Sequence, residues 1–435
     1  MEFQRILLFA ALTLTLMMMW QAWQEDYVRP QQQVATDSAE TAAAKEQGLD
    51  LPTAPMSSAT SSNTTSLPIV ATMKSVARVS VETDLLTVEI DTLGADIRNV
   101  RLKNYPVTLE EPDNAFALIR DRGEISIPQS GLLSSAESGV TLPTHHDLFY
   151  AEKEEYRLAP GEDSLQVALH WDDTSGIEVT KTYTFHRDRY TIDVDYLITN
   201  HSDKPWSGHA YHQLLRQRPQ SGGNAFLYTY TGGVVYSEAE KYEKISFEDM
   251  ESRPLQREVT NGWVAMIEHY FLSAWIPSDK GKMQVYSKSP GGENFIIGMI
   301  DAGQEIAPNS SGRITSQLFI GPKLQNRLSS VATGLELTVD YGILTVIAKP
   351  LDWLLQVIHS VVGNWGFAII FLTILIKAAF YKLSETSYKS MAQMRKMQPK
   401  LKAMKERYGD DRTAMNQAMM KLYKEEKINP LGGCL

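Results

Sequence analysis

With 435 residues the chain is long enough for two or more domains. Its one cysteine, Cys434, excludes a disulfide framework, and its nine histidines never fall at metal-site spacing. The formal net charge of −10 is uneven: Ser384 to Pro430 holds eleven Lys/Arg against six Asp/Glu, so that segment is about +5 and the rest about −15.

Residues 1–23 read as a first transmembrane anchor. Arg5 precedes the apolar run Ile6 to Trp23, which ends in Met17, Met18, Met19 and Trp20 where a cleavable signal needs small residues. Trp20 and Trp23 suit the outer interface as belt aromatics. From 24 to 75 the sequence is rich in Ala, Ser, Thr, Gln and Pro, too poor in apolar surface to offset its ordering entropy, and reads as a flexible tether.

Residues 76–335 change character. Leu86, Val88 and Ile90 alternate with polar residues, as do Leu165, Val167, Leu169 and Trp171, then Ile177 and Val179, Tyr183 and Phe185, and Tyr190, Ile192, Val194, Tyr196 and Ile198. Period-two patterns of β-branched and aromatic residues, separated by turn clusters, predict antiparallel strands in one large all-β sandwich. No nucleophile elbow or phosphate loop occurs there. Tyr211-His212 and Glu268-His269 are conceivable acid/base pairs, but histidines near strands more often serve structure, and no catalytic residue is assigned.

Residues 338–350 predict a short amphipathic helix in the outer interface, with Ile343, Leu344, Val346 and Ile347 toward lipid and Pro350 as its breaker. Leu351 to Leu383 reads as a second transmembrane helix; Val361 to Tyr381 supply the roughly 20 apolar residues a span requires. Lys377 interrupts it, with Thr373 four residues earlier on the same face. An ammonium inside a span either snorkels to the headgroups or marks a hydrated pathway, and the accompanying His359, Asn364 and Thr373 favour the pathway. The basic residues that follow place the next segment in the cytoplasm.

Residues 384–428 predict a helical hairpin. Met391, Met394, Met397, Leu401, Met404 and Tyr408 form one apolar stripe, Met415, Met419 and Leu422 another, with Gly409 and Asp410-Asp411 between them and Pro399 as a kink. A Met-rich surface also suits varied apolar partners, and the basic residues between suit anionic lipid or ribosomal RNA.

These residues resemble the YidC family of inner-membrane protein insertases of Gram-negative bacteria. The resemblance spans the chain, through Gln4-Arg5, Trp20-Gln21-Ala22-Trp23, Gly262-Trp263-Val264-Ala265-Met266, Ala274-Trp275-Ile276-Pro277, Leu337 to Gly342, Val362 to Phe367, Met391 to Pro399 and Asn429 to Cys434. It implies a periplasmic β-supersandwich similar to sugar mutarotases, then membrane helices around a hydrated groove. The groove cation falls on Lys377, where the family more often has arginine, and the groove threonine on Thr373. Substrate is received by the hairpin methionines Met391, Met394, Met397, Met404, Met415 and Met419. Implied partners are nascent membrane proteins, the Sec translocon (SecYEG, SecDF), the ribosome, the signal recognition particle receptor and membrane lipids, with no cofactor and no metal. Residues 429–435 fall at the start of a further membrane segment, so the chain reads as incomplete. The competing expectation is a membrane-anchored periplasmic carbohydrate-binding or mutarotase-like domain.

Overall fold

The computed structural model describes residues 52, 75–134, 142–172, 176–219, 230–279, 281–339, 345–408 and 412–425. The expected anchor 1–23 and the closing 429–435 lie outside them, as does the tether 24–75 apart from Pro52 and Ser75. The chain divides into two compact units, Met1–Leu335 and Glu336–Leu435.

The described residues of the first unit form three sheets. A five-stranded sheet runs in the order Ala115–Ile119, Asp96–Pro106, Leu86–Asp91, Arg78–Glu82, Glu155–Arg157. A nine-stranded sheet has Thr191–Asn200 and Ser310–Pro322 at its middle, and a six-stranded sheet is organised on Trp206–Gln217 and Asn294–Ile300. Among the described residues two short helices, α1 (Phe247–Ser252) and α2 (Gln325–Val331), interrupt the strands.

The period-two residues are the core. Leu86, Val88 and Ile90 are buried while Glu89 is exposed, and Ile192, Val194, Tyr196 and Ile198 all face inward. Each such side chain contributes roughly 1.5–3 kcal/mol of burial. Asn294–Ile300 and Trp263–Ile267 depart from alternation, being buried at every position. They run inside their sheets with both faces covered, so apolar residues occupy both and the period disappears.

A polar staple joins the layers. Lys181 Nζ is wholly buried, 3.3 Å from Asp96 Oδ1 and donating to the Gly94 carbonyl at 3.1 Å. The Tyr183 hydroxyl donates to the Ala95 carbonyl at 2.6 Å, and the Tyr196 hydroxyl lies 2.9 Å from Ser130 Oγ. Asp96 also accepts from the Ser130 amide at 3.3 Å. The strand starting at Asp96 is thereby tied to strands of both other sheets. Burial lowers the Lys181 amine and raises the Tyr183, Tyr196 and Tyr211 hydroxyls well above their ordinary range.

The second unit differs from the expected interfacial helix at 338–350 and single span at 351–383. Helix α3 covers Thr345–Val362, α4 covers Trp365–Ala379 and α5 covers Tyr381–Tyr408. Residues 340–344 lie outside the described ones, and Leu335–Thr338 is one 3-10 turn. Pro350 sits inside α3 without ending it, since its missing N–H forfeits a single bond near the start of the helix. The break comes later. Gly363, at φ +69°, donates its N–H to the His359 carbonyl at 2.7 Å, and Asn364 caps α4 by accepting from the Phe367 amide at 3.2 Å.

Helix α3 is amphipathic over its whole length, with Lys349, Asp352, Gln356 and His359 along one stripe and Ile347, Leu351, Leu354, Leu355 and Ile358 along another. Among the described residues no single helix is long and apolar enough to cross a membrane. The 15 residues of α4 reach only about 22 Å against a hydrocarbon core of about 30 Å. Taken with α5, from which it is bent by 60°, α4 has the length and composition of a broken span. Helix α5 runs through Pro399 and packs against α6 (Arg412–Glu425), while the turn Gly409-Asp410-Asp411 lies outside the described residues.

Lys181→Met strands the Asp96 carboxylate and is expected to cost the first unit about 3–5 kcal/mol, with Lys181→Met/Asp96→Leu recovering most of it. Urea midpoints of the full chain, read by hydrogen exchange over residues 75–335, measure both. The same midpoints are expected to fall as pH rises above 10.0, the ordinary tyrosine value. Unfolded tyrosines lose their protons there while Tyr183, Tyr196 and Tyr211 keep theirs, a loss of about 4 kcal/mol per pH unit for three groups. Lys181 acts oppositely, adding stability as pH climbs toward 10.5, but it is one group against three. Midpoints unchanged up to pH 11 would contradict this reading.

Candidate functional site

Helix α4 is the most apolar helix of the second unit, and it forms where Trp365 to Ile376 supply Ile, Phe, Leu and Ala with only Gly366 and Thr373 between. Thr373 answers its own polarity inside the helix, its hydroxyl donating to the Ile369 carbonyl at 2.8 Å. One turn later Lys377 lies on the same face in the last turn of α4, exposed and without an ion-pair partner among the described residues. The structure therefore brings these two predicted site residues onto one stripe of an otherwise apolar rod. Among the described residues this cation has no ion-pair partner, and an open charge in the last turn of an otherwise apolar helix either reaches the headgroups or meets water.

The corner before α4 adds two residues that the sequence marked only as polar. The ring of His359 stacks on Trp365 at 3.7 Å and 11°. With the Gly363 and Asn364 caps this fixes how the amphipathic α3 passes into the apolar α4.

The predicted methionines fall in two stripes. On α5, Met394, Met397 and Met404 are less exposed than their neighbours, Met397 being 4% exposed, whereas Met391 is open. On α6, Met415 and Met419 are likewise half-buried and Met420 is exposed. Most of the predicted methionines are thus packed within the unit and Met391 is the open one; Met420, beside the second stripe, is exposed as well.

Neither acid/base pair raised from the first unit converges. Tyr211 is wholly buried, with its hydroxyl 2.5 Å from His145 Nδ1 and accepting from the His145 amide at 3.0 Å. Glu268 is drawn into an ion pair with Arg216, while His269 packs edge-on against Tyr270. His212 instead meets Asp301, 89 residues away in the chain, a pairing that no local motif announces. Among the described residues no group of side chains is placed to hold a metal ion.

Comparison with known proteins gives two family matches, the YidC periplasmic domain over residues 78–354 and the 60Kd inner membrane protein over residues 357–435. The membrane protein insertase YidC of Methylococcus capsulatus is 48% identical over 420 residues, covering 96% of this chain and 75% of the relative. That of Thioalkalivibrio sulfidiphilus is 46% identical over 443 residues, covering 99% and 78%. Among solved structures, a galactose mutarotase-like protein from Lactobacillus casei is similar at 11% identity and a TM-score of 0.39, covering 56% of this chain and 100% of that one. The interruptions of α4, the β unit before it and the Met-rich helices after it thus stand in a chain that is matched over almost its whole length and spans about three-quarters of these relatives. The chain belongs to the YidC family of membrane protein insertases, which are not enzymes.

Proposed function

We propose that this protein assists insertion and folding of nascent membrane proteins through a hydrated groove in the inner membrane, whose wall includes Lys377 and Thr373. The observation that carries the reading is Lys377, an exposed cation with no ion-pair partner among the described residues, on an apolar helix of an insertase-family chain. Transferring a polar segment across a bilayer is opposed by dehydration of its backbone and charges. A water-filled cavity entering partway shortens the dry path. Its cation attracts an acidic residue of the passing segment, and the apolar helix of the substrate leaves sideways into lipid. No bond is made or broken.

In this arrangement the first unit is periplasmic and α3 lies along the outer interface with its polar stripe toward water. Helix α4 and the start of α5 cross the membrane, and the basic segment from Ser384 is cytoplasmic. The N-terminal run 6–23 supplies a further anchor, making the protein multi-pass. The hairpin of α5 and α6 receives substrate, with Met391 and Met420 as its adaptable apolar contacts and the partly packed Met394, Met397, Met404, Met415 and Met419 joining when the hairpin opens. The Sec translocon, the ribosome and the signal recognition particle receptor are the partners this placement accommodates.

The test uses cells depleted of their own insertase and supplied with this sequence continued by the C-terminal remainder of the Methylococcus capsulatus relative. Lys377→Arg is expected to support insertion, since it keeps the charge. Lys377→Ala is expected to lower insertion of a substrate with an acidic translocated segment about tenfold, equivalent to about 1.4 kcal/mol, and to spare one lacking acidic residues. Equal insertion of both substrates by Lys377→Ala would remove the groove charge from the mechanism and leave Lys377 as a snorkelling residue.

A further inference from the structure

The corner between α3 and α4 bears on where Lys377 comes to rest. Helix α4 carries nothing of its own that sets its depth: from Phe367 to Ile376 only Thr373 interrupts the apolar residues, so a shift of one turn exchanges like for like. Lys377, by contrast, gains water by sliding toward the headgroups. Something at the other end of the helix has to resist that pull. Lys377 follows Trp365 by 12 residues, about 18 Å of helix. With Trp365 at the outer boundary of a hydrocarbon core of about 30 Å, Lys377 stands about 12 Å short of the inner boundary.

The link supplies no stiffness by itself. Gly363 is at φ +69°, and a Cβ built on it meets no atom within 4 Å, so nothing packs against the turn. The Asn364 cap and the Ala368 amide, which donates to the Asn364 carbonyl at 3.0 Å, start α4 without reaching α3. The ring pair does reach across. His359 belongs to the last turn of α3 and Trp365 is the first residue of α4, and their rings lie parallel at 3.7 Å and 11°. Planar rings stacked in this way resist both rotation and sliding of one helix on the other. Helix α3 in turn cannot follow α4 into hydrocarbon, because its stripe of Lys349, Asp352, Gln356 and His359, with Gln356 Nε2 donating to Asp352 Oδ2 at 2.7 Å, stays in the interface. The rival arrangement is Trp365, 53% exposed, anchoring alone as a belt aromatic.

We infer that His359 is a positioning residue for Lys377: by clasping Trp365 across the Gly363 link it ties α4 to the interfacial α3 and keeps Lys377 inside the membrane. The inference rests on the proposed crossing of α4, and its test is read apart from insertion. A nitroxide on Leu375→Cys in a Cys434→Ser background reports depth, since position 375 lies about half a turn around the helix from both Thr373 and Lys377. The full chain in lipid nanodiscs is measured by power saturation against oxygen and a water-soluble nickel complex. In His359→Ala the label is expected at least about 3 Å nearer the inner headgroups than in the parent, two residues of helix rise. His359→Phe keeps a planar ring and is expected to restore the parent depth. Trp365→Ala is expected to shift the label as His359→Ala does, and the double variant no further. Unchanged depth in His359→Ala, no restoration by His359→Phe, or additive shifts in the double variant, which would make Trp365 an independent anchor, would each overturn the inference and leave the Lys377→Ala insertion test untouched. A parent label fully open to the nickel complex would remove the crossing itself, and the inference with it.

Discussion

A charge taken from water must find a partner or keep some water with it, and two lysines of this chain meet that constraint in opposite ways. Lys181 is sealed in the β unit and satisfied there by Asp96 and the Gly94 carbonyl. Lys377 stands on an apolar helix with no ion-pair partner among the described residues. The first arrangement is a structural staple whose energetics close within the fold. The second is left open, which makes sense in an insertase if water and an acidic substrate residue complete it in turn.

The same constraint shapes the backbone around α4. Amide groups at helix ends need partners, and at the α3 to α4 corner the His359 carbonyl, the Gly363 N–H, the Asn364 side chain and the Phe367 amide satisfy one another. Satisfied in this way, the corner allows an amphipathic helix suited to an interface to pass directly into an apolar one suited to hydrocarbon. A glycine at positive φ is what makes the change of direction possible without strain.

Much of this was legible in the residues. Alternation at Leu86, Val88 and Ile90 and along Tyr190 to Ile198 marked strands with one buried face, and those positions are core. Asn294–Ile300 and Trp263–Ile267 escaped because burial on both faces erases the period that reveals a strand. The junction at Gly363 and Asn364 was overridden by the hydropathy on either side, although glycine after a helix and asparagine before one are the end signals that the structure uses. Thr373 and Lys377 were readable as one helical face by their spacing of four. The pairing of His212 with Asp301 was not, because it depends on a sheet register between distant strands.

Whether Lys377 occupies a hydrated groove is decided most directly by the water accessibility of its position. Lys377→Cys in a Cys434→Ser background leaves one thiol in the sequence. In inner-membrane vesicles of both orientations, a charged, membrane-impermeant maleimide is expected to label it from the cytoplasmic face only, and an arrested substrate with an acidic translocated segment to block the labelling. A thiol that reacts only after detergent is added, or that labels equally with and without substrate, would contradict a water-filled groove at Lys377.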